Sequence, residues 1–173
     1  MKYRQTPHHL FDSNLQARPK NAGAIWRTLC WVNDQVAISG DLSNFDSEAL
    51  VQLNEWVDQG ITDIIDLRGE ASNEGFVAQH AVNITYHWLG VDDEGDRRSD
   101  EWFEAIEAAA QLVLQDPSRK VVIHCHMGVN RGPSAAFTAL ITHGVDPIQA
   151  LTQIRSARPV AAILYSFDAV QWY

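Results

Sequence analysis

The chain has 173 residues, enough for one domain with a well-buried core. Its hydrophobic fraction of 46% and charged fraction of 20% are those of an ordinary globular protein, while a net charge of -9 argues against broad binding to nucleic acid or acidic membranes. Two cysteines, Cys30 and Cys125, are too few for a disulfide framework and point to a reduced, cytoplasmic setting.

The start, Met1-Lys2-Tyr3-Arg4-Gln5, leads into polar residues with no apolar core, so no secretory leader is expected. Residues 1–24, with Pro7, Pro19 and Gly23, read as an irregular arm, and 25–173 as one domain. Trp26 to Cys30 and Gln35 to Ser39 flank the turn signal Asn33-Asp34 and read as two short strands. Leu50, Leu53, Trp56 and Val57 recur at helical spacing between Ser47 and Gln59, and Gly60 supplies a stop. Ile61 to Leu67 and Ile84 to Val91 read as strands, and Asp92 to Asp100 as a charged loop. Trp102, Phe103, Ile106, Ala109, Ala110 and Val113 form one face of a helix that ends near Pro117. Val121 to His124 reads as the central strand, and Arg131 to His143 as the helix after it, closed by Gly144. Asp146-Pro147 caps a further helix running to Ala157. Arg158-Pro159 breaks it, and Ile163 to Trp172 makes a last helix. No apolar run is long enough to span a bilayer. Strands alternating with helices imply an α/β fold, a central, mostly parallel twisted sheet flanked by helices.

The run Val121-Val122-Ile123-His124-Cys125-His126-Met127-Gly128-Val129-Asn130-Arg131 carries the chemistry. A strand delivers Cys125, five residues follow, and Arg131 opens a helix. A tight loop entering a helix offers backbone N–H groups to an anion, and the helix dipole adds to their field. His126, Met127, Gly128, Val129 and Asn130 are about the length that wraps a phosphoryl group, and Gly128 lets the backbone approach closely. Arg131 can hold two phosphate oxygens in a bidentate fork that lysine cannot reproduce. The same field stabilises a thiolate, making Cys125 a nucleophile near neutrality. His124 is a candidate to order the loop by hydrogen bonding. His124-Cys125-His126 is a poor zinc set, because neighbours on a strand alternate direction and no second ligand pair stands at zinc spacing.

These residues resemble the cysteine-dependent protein phosphatases, and among them the dual-specificity branch. The matching motif is His124 to Arg131 followed by Gly132-Pro133-Ser134. Ala37-Ile38-Ser39-Gly40, Gly60 to Leu67, and Arg155-Ser156-Ala157-Arg158-Pro159 extend the likeness to roughly residues 35–172. The resemblance implies a phosphatase-like catalytic domain over 25–173 that needs no metal or organic cofactor. It implies two steps. The Cys125 thiolate attacks phosphorus to give a phosphocysteine while an aspartic acid protonates the leaving oxygen. That residue then acts as base toward the water that releases phosphate.

The family carries its acid on a mobile loop ahead of an aromatic pair on the next helix. Trp102-Phe103 is such a pair and selects Asp93, with Asp92 as runner-up. One position departs from the family: Gly132 stands where a Ser or Thr hydroxyl usually supports the departing thiolate, which implies slow phosphocysteine breakdown and low turnover. Ser134 lies too far along to take that role by sequence alone.

The expected substrates are phosphotyrosine and phosphoserine or phosphothreonine in proteins, with phosphate or sulfate as simple occupants of the loop. Arg68 and the pair Arg97-Arg98 are candidates to attract acidic groups beside the site, and Trp88 to line its mouth. The loop lacks the extra lysines of inositol-lipid phosphatases. Asn130 is similar to the RNA 5′-phosphatase branch, which the acidic charge disfavours. Two other classes are a phospho-binding pseudophosphatase of low turnover and a sulfur-transfer enzyme of the rhodanese type, which also uses a cysteine loop.

Overall fold

The computed structural model describes residues 26–173, so the arm expected over 1–24 lies outside the described residues. The elements run β1 (Cys30–Trp31), β2 (Val36–Ser39), α1 (Asp46–Asp58), β3 (Asp63–Arg68), α2 (Glu74–His80), β4 (Thr85–Val91), α3 (Asp100–Leu114), β5 (Val121–His124), α4 (Arg131–Thr142), α5 (Pro147–Ala157) and α6 (Ser166–Trp172). The sheet order is β1-β2-β5-β3-β4. Among the described residues only β1 with β2 is antiparallel; β2 with β5, β5 with β3, and β3 with β4 are parallel. The expected mixed, mostly parallel sheet is therefore present, with β5 at its centre.

Helices cover both faces, so β2, β3 and β5 are buried along their whole length. Alternate residues serve opposite cores. Val36, Ile38, Ile65, Val121 and Ile123 pack with α3, α4, α5 and α6 on one side. Ala37, Ile64 and Val122 pack against Leu53 and Trp56 of α1 on the other. Helix α4 is the innermost element: Arg131 through Ile141 are all buried. Its small residues Gly132, Ser134, Ala135, Ala136 and Ala139 let the sheet and neighbouring helices close around it. No helix among the described residues is long and apolar enough to cross a membrane.

Two elements start later than the sequence suggests, and one helix was not foreseen. The first strand is only Cys30–Trp31, because the carbonyls before it are taken elsewhere. Trp26 O accepts from Gly40 N (2.7 Å), and Arg27 O from Ser39 Oγ (3.0 Å). The last helix begins at Ser166 rather than Ile163. Ile163 stands at φ +56°, outside the right-handed helical region, while Leu164 N and Tyr165 N donate to the side chains of Asn130 (2.8 Å) and Ser134 (3.2 Å). Helix α2 was not foreseen: with seven residues and one buried side chain, Val77, it shows no readable period. The Asp146 cap is as expected, its carboxylate accepting from Ile148 N (2.9 Å) and Gln149 N (3.2 Å).

Candidate active site

Cys125 follows the last residue of β5 and is 2% exposed, at the base of a loop that climbs to Arg131 at the start of α4. The loop's shape is set from outside. His126 O accepts from Asp41 N (3.0 Å) and Val129 O from Ala162 N (2.7 Å). Met127 O and Gly128 O both accept from the Arg158 guanidinium, at 3.0 and 2.6 Å. Four successive carbonyls are thus held outward. In a trans peptide the N–H opposes the carbonyl, so the N–H groups of Met127, Gly128, Val129 and Asn130 turn inward. That is a concave set of donors, the arrangement that receives an anion.

Gly128 cannot be replaced in this loop. Its φ is +61°, and a Cβ there would lie 2.6 Å from Ser39 O and 2.7 Å from Arg158 Nη2. Arg158 is itself buried, its remaining hydrogen bonds reaching Trp26 O (2.7 Å), Thr28 O (3.3 Å) and Cys30 Sγ (3.3 Å). The sequence motif contained Arg158 but gave no sign that it braces the loop.

Arg131 shows how an anion would be gripped. Nη1 donates both hydrogens, to Glu70 Oε2 (2.6 Å) and Val91 O (2.9 Å). Nη2 donates one, to Glu70 Oε1 (2.9 Å). Buried Nε has no hydrogen-bond acceptor among the described residues, and Asp93 Oδ2 stands 3.5 Å away. The Nε edge of the guanidinium, with one Nη2 hydrogen, therefore remains available as a two-donor fork. Burial works against the charge of Arg131, but Glu70, the Cys125 sulfur and Asp93 outweigh it and raise its pKa.

Glu70 was missed as a site residue. The hydrogen bonds from Arg131 hold its carboxyl down to about 2, from an ordinary 4.5. Its folded pKa is depressed, so its stabilising contribution is complete above about 4.5 and fades as pH falls toward about 2. Half the side chain is in water, which limits the contribution to about 1 kcal/mol or less. Thermal melts should show wild type above Glu70→Gln near neutrality, with the gap closing through that acid window. A gap independent of pH would count against the pair.

Asp93, the expected acid, is drawn to the same place. Its Oδ1 accepts from Asn130 Nδ2 (2.7 Å) and Tyr165 OH (2.9 Å). Asp92 contributes its backbone instead, its carbonyl accepting from Arg98 Nη1 (2.8 Å). The structure thus brings together Arg131, Asn130 and Asp93 from the expected set, and adds Glu70 and Tyr165.

His126 points away, its Nδ1 2.8 Å from buried Asp41 and its side chain half exposed. Met127 is 38% exposed at the rim. His124 lies directly under the loop: its Nε2 stands 3.9 Å from Asp66 Oδ2, and its contact with the Cys125 backbone favours the protonated ring. Burial pushes its pKa down, which keeps it a neutral packing residue beside Trp56.

Of the flanking arginines, Arg68 is taken up inside the fold, whereas Arg97 stays exposed. Arg68 is 3% exposed and committed to Asp66 (2.9 and 2.7 Å) and Asn73. Arg98 lies over the Tyr165 ring, and Arg97 meets Asp100 (3.6 Å). Trp88 is 53% exposed, with its indole N–H given to Arg68 O (2.7 Å).

Gly132 faces the cysteine peptide: a Cβ there would be 3.3 Å from Cys125 N. Ser134 is committed elsewhere, its hydroxyl donating to Asn130 Oδ1 (3.3 Å) and accepting from Tyr165 N (3.2 Å). A serine at 132 would fit with small shifts and bring a hydroxyl beside Cys125. On the sequence expectation of a phosphocysteine, Gly132→Ser should speed its breakdown by about tenfold, the worth of one charge-assisted hydrogen bond. The check is the ratio of burst to steady-state rate; an unchanged ratio would contradict the role.

A family model described as a rhodanese-like domain matches residues 49–153. No curated protein matches the chain. Solved structures do. Human DUSP28 is 16% identical, with a TM-score of 0.66 over 83% of this chain and 91% of that one. A mouse putative dual specificity phosphatase complexed with zinc tungstate is 19% identical, with a TM-score of 0.67 over 84% of this chain and 86% of that one. PTPMT1 in complex with PI(5)P is 14% identical, with a TM-score of 0.61 over 81% of this chain and 94% of that one. At such identities the likeness establishes the fold, that of the dual-specificity phosphatases.

Proposed function

Because the chain belongs to the rhodanese-like domain family and carries its cysteine loop on a phosphatase fold, we propose that it hydrolyses phosphate monoesters through a phosphocysteine. One observation carries this reading: the buried Arg131 fork, left with two donors beside Cys125 while Glu70 and Val91 hold its far edge.

In this reading the inward N–H groups and the fork hold the phosphate oxygens. The Cys125 thiolate attacks phosphorus, the bond to the leaving oxygen breaks, and Asp93 delivers a proton to that oxygen. Asp93, now ionised, takes a proton from the water that attacks the phosphocysteine; phosphate leaves and the thiolate returns. The substrates are phosphotyrosine and phosphoserine or phosphothreonine of proteins in the cytoplasm, where Cys125 stays reduced. The loop from Cys125 to Arg131 carries no lysine to hold a headgroup with several phosphates.

Sulfur transfer is the second reading, favoured by the rhodanese-like match. A sulfur donor such as thiosulfate releases sulfite, an anion that needs no proton, so Asp93 would have no task there. Vanadate-sensitive phosphate release from phosphotyrosine and phosphothreonine peptides, exceeding release from phosphoinositides and any thiosulfate activity, is the expected result. Thiosulfate turnover without phosphate release would replace this reading with the second.

A further inference from the structure

The acid loop does not rest on Arg131 alone. Tyr165, just before α6, meets it at three points: its hydroxyl donates to Asp93 Oδ1 (2.9 Å), accepts from Gly95 N (3.4 Å), and its ring lies under Arg98 at 4.8 Å. The same short segment grips the cysteine loop. Ala162 N donates to Val129 O (2.7 Å), Leu164 N to Asn130 Oδ1 (2.8 Å), and Tyr165 N to Ser134 Oγ (3.2 Å). Asn130 closes the circuit by donating to Asp93 Oδ1 (2.7 Å). Between these contacts sits Ile163, fully buried at φ +56°, a conformation that a β-branched residue adopts only when its surroundings impose it.

From this geometry we infer that Tyr165 is a positioning residue for the general acid, which with Asn130 decides the oxygen of Asp93 that carries the transferable proton. The inference rests on the phosphatase reading above. Two donors converge on Oδ1, so a proton there would face two N–H or O–H hydrogens; it resides on Oδ2 instead. Oδ2 is the oxygen 3.5 Å from Arg131 Nε, on the edge that would hold phosphate. When the P–O bond breaks, the Oδ2 proton passes to the leaving oxygen and Asp93 becomes a carboxylate. The hydrogen bonds from Tyr165 and Asn130 then fall on a charged acceptor and strengthen, which favours the transfer. Tyr165 touches neither the phosphorus nor the leaving group in this scheme.

A purely structural tyrosine would affect every substrate alike; a positioning residue acts only where protonation matters. The experiment compares kcat/KM, which reports phosphocysteine formation, for an alkyl phosphate and for nitrophenyl phosphate. Tyr165→Phe should lower the alkyl value about tenfold more than the nitrophenyl value, as one hydrogen bond to a charged acceptor would. Asp93→Asn should show the same selectivity more strongly. Adding Tyr165→Phe to Asp93→Asn should cost little more on the alkyl ester, because both act through one proton. Equal losses on the two esters, or fully additive losses in the double variant, would overturn the assignment of Tyr165 and leave the phosphatase reading intact. A wild-type chain inactive on both esters would overturn that reading and this one with it.

Discussion

Replacing Cys125 with serine should abolish phosphate release, by about 10⁴-fold or more, while leaving the fold in place. Serine is close to cysteine in size, and the loop's form depends on Arg158, Asp41, Ala162 and Gly128, none of which touches the sulfur in its role as brace. A hydroxyl is a much poorer nucleophile than a thiolate at neutral pH, and burial makes His124, the adjoining imidazole, a weaker base for taking its proton. The variant should still bind inorganic phosphate, because the inward N–H groups and Arg131 remain. Steady-state phosphate release and phosphate binding by calorimetry check the two halves. Retained turnover would remove Cys125 from the chemistry.

Arg131→Lys is the second large effect, a loss of about 10²–10³-fold in kcat/KM. The charge is kept, so a purely coulombic role would survive the change. What lysine lacks is the planar set of five N–H groups. Three are used by Glu70 and Val91, and those contacts aim the other two. A lysine ammonium pulled toward Glu70 would leave the anion without its fork. Kinetics with an aryl phosphate, alongside a melt to show that the fold persists, decide the matter; near-normal kcat/KM would mean that charge alone suffices.

The fold was legible because its signals are periodic and local. Val121 to His124 gave a buried strand, α1 and α3 gave helical stripes, and Asp146-Pro147 gave a cap, and each lies where it was read. The misreadings sit where side chains override the backbone pattern. Asn130 and Ser134 hold Leu164 and Tyr165 beside a left-handed Ile163, at φ +56°, so α6 starts only at Ser166. Hydrogen bonds from Gly40 and Ser39 hold Trp26 and Arg27 out of β1.

The candidate site divides in the same way. Cys125 through Arg131 is one contiguous loop, so sequence order alone suggested its geometry. Glu70 stands 61 residues from Arg131, and Tyr165 stands 72 from Asp93, with no fixed spacing to join them. Arg68 was misjudged for the opposite reason: it looked like a surface charge until β3 carried it inside against Asp66. Only packing decides which of several charged residues face a shared centre. Hydrogen-bond capacity would have given a partial clue, since a buried arginine requires more acceptors than a loop motif alone can supply.

What becomes attached to Cys125 during turnover separates the possible chemistries most directly. The enzyme is mixed with an aryl phosphate, quenched in acid during the burst, and digested, and the peptide holding Cys125 is weighed; a parallel sample receives thiosulfate. A phosphocysteine account predicts that the peptide gains one phosphoryl group from the ester, transiently in wild type and not at all in Cys125→Ser. A peptide that gains a sulfur atom from thiosulfate and nothing from the ester would contradict it.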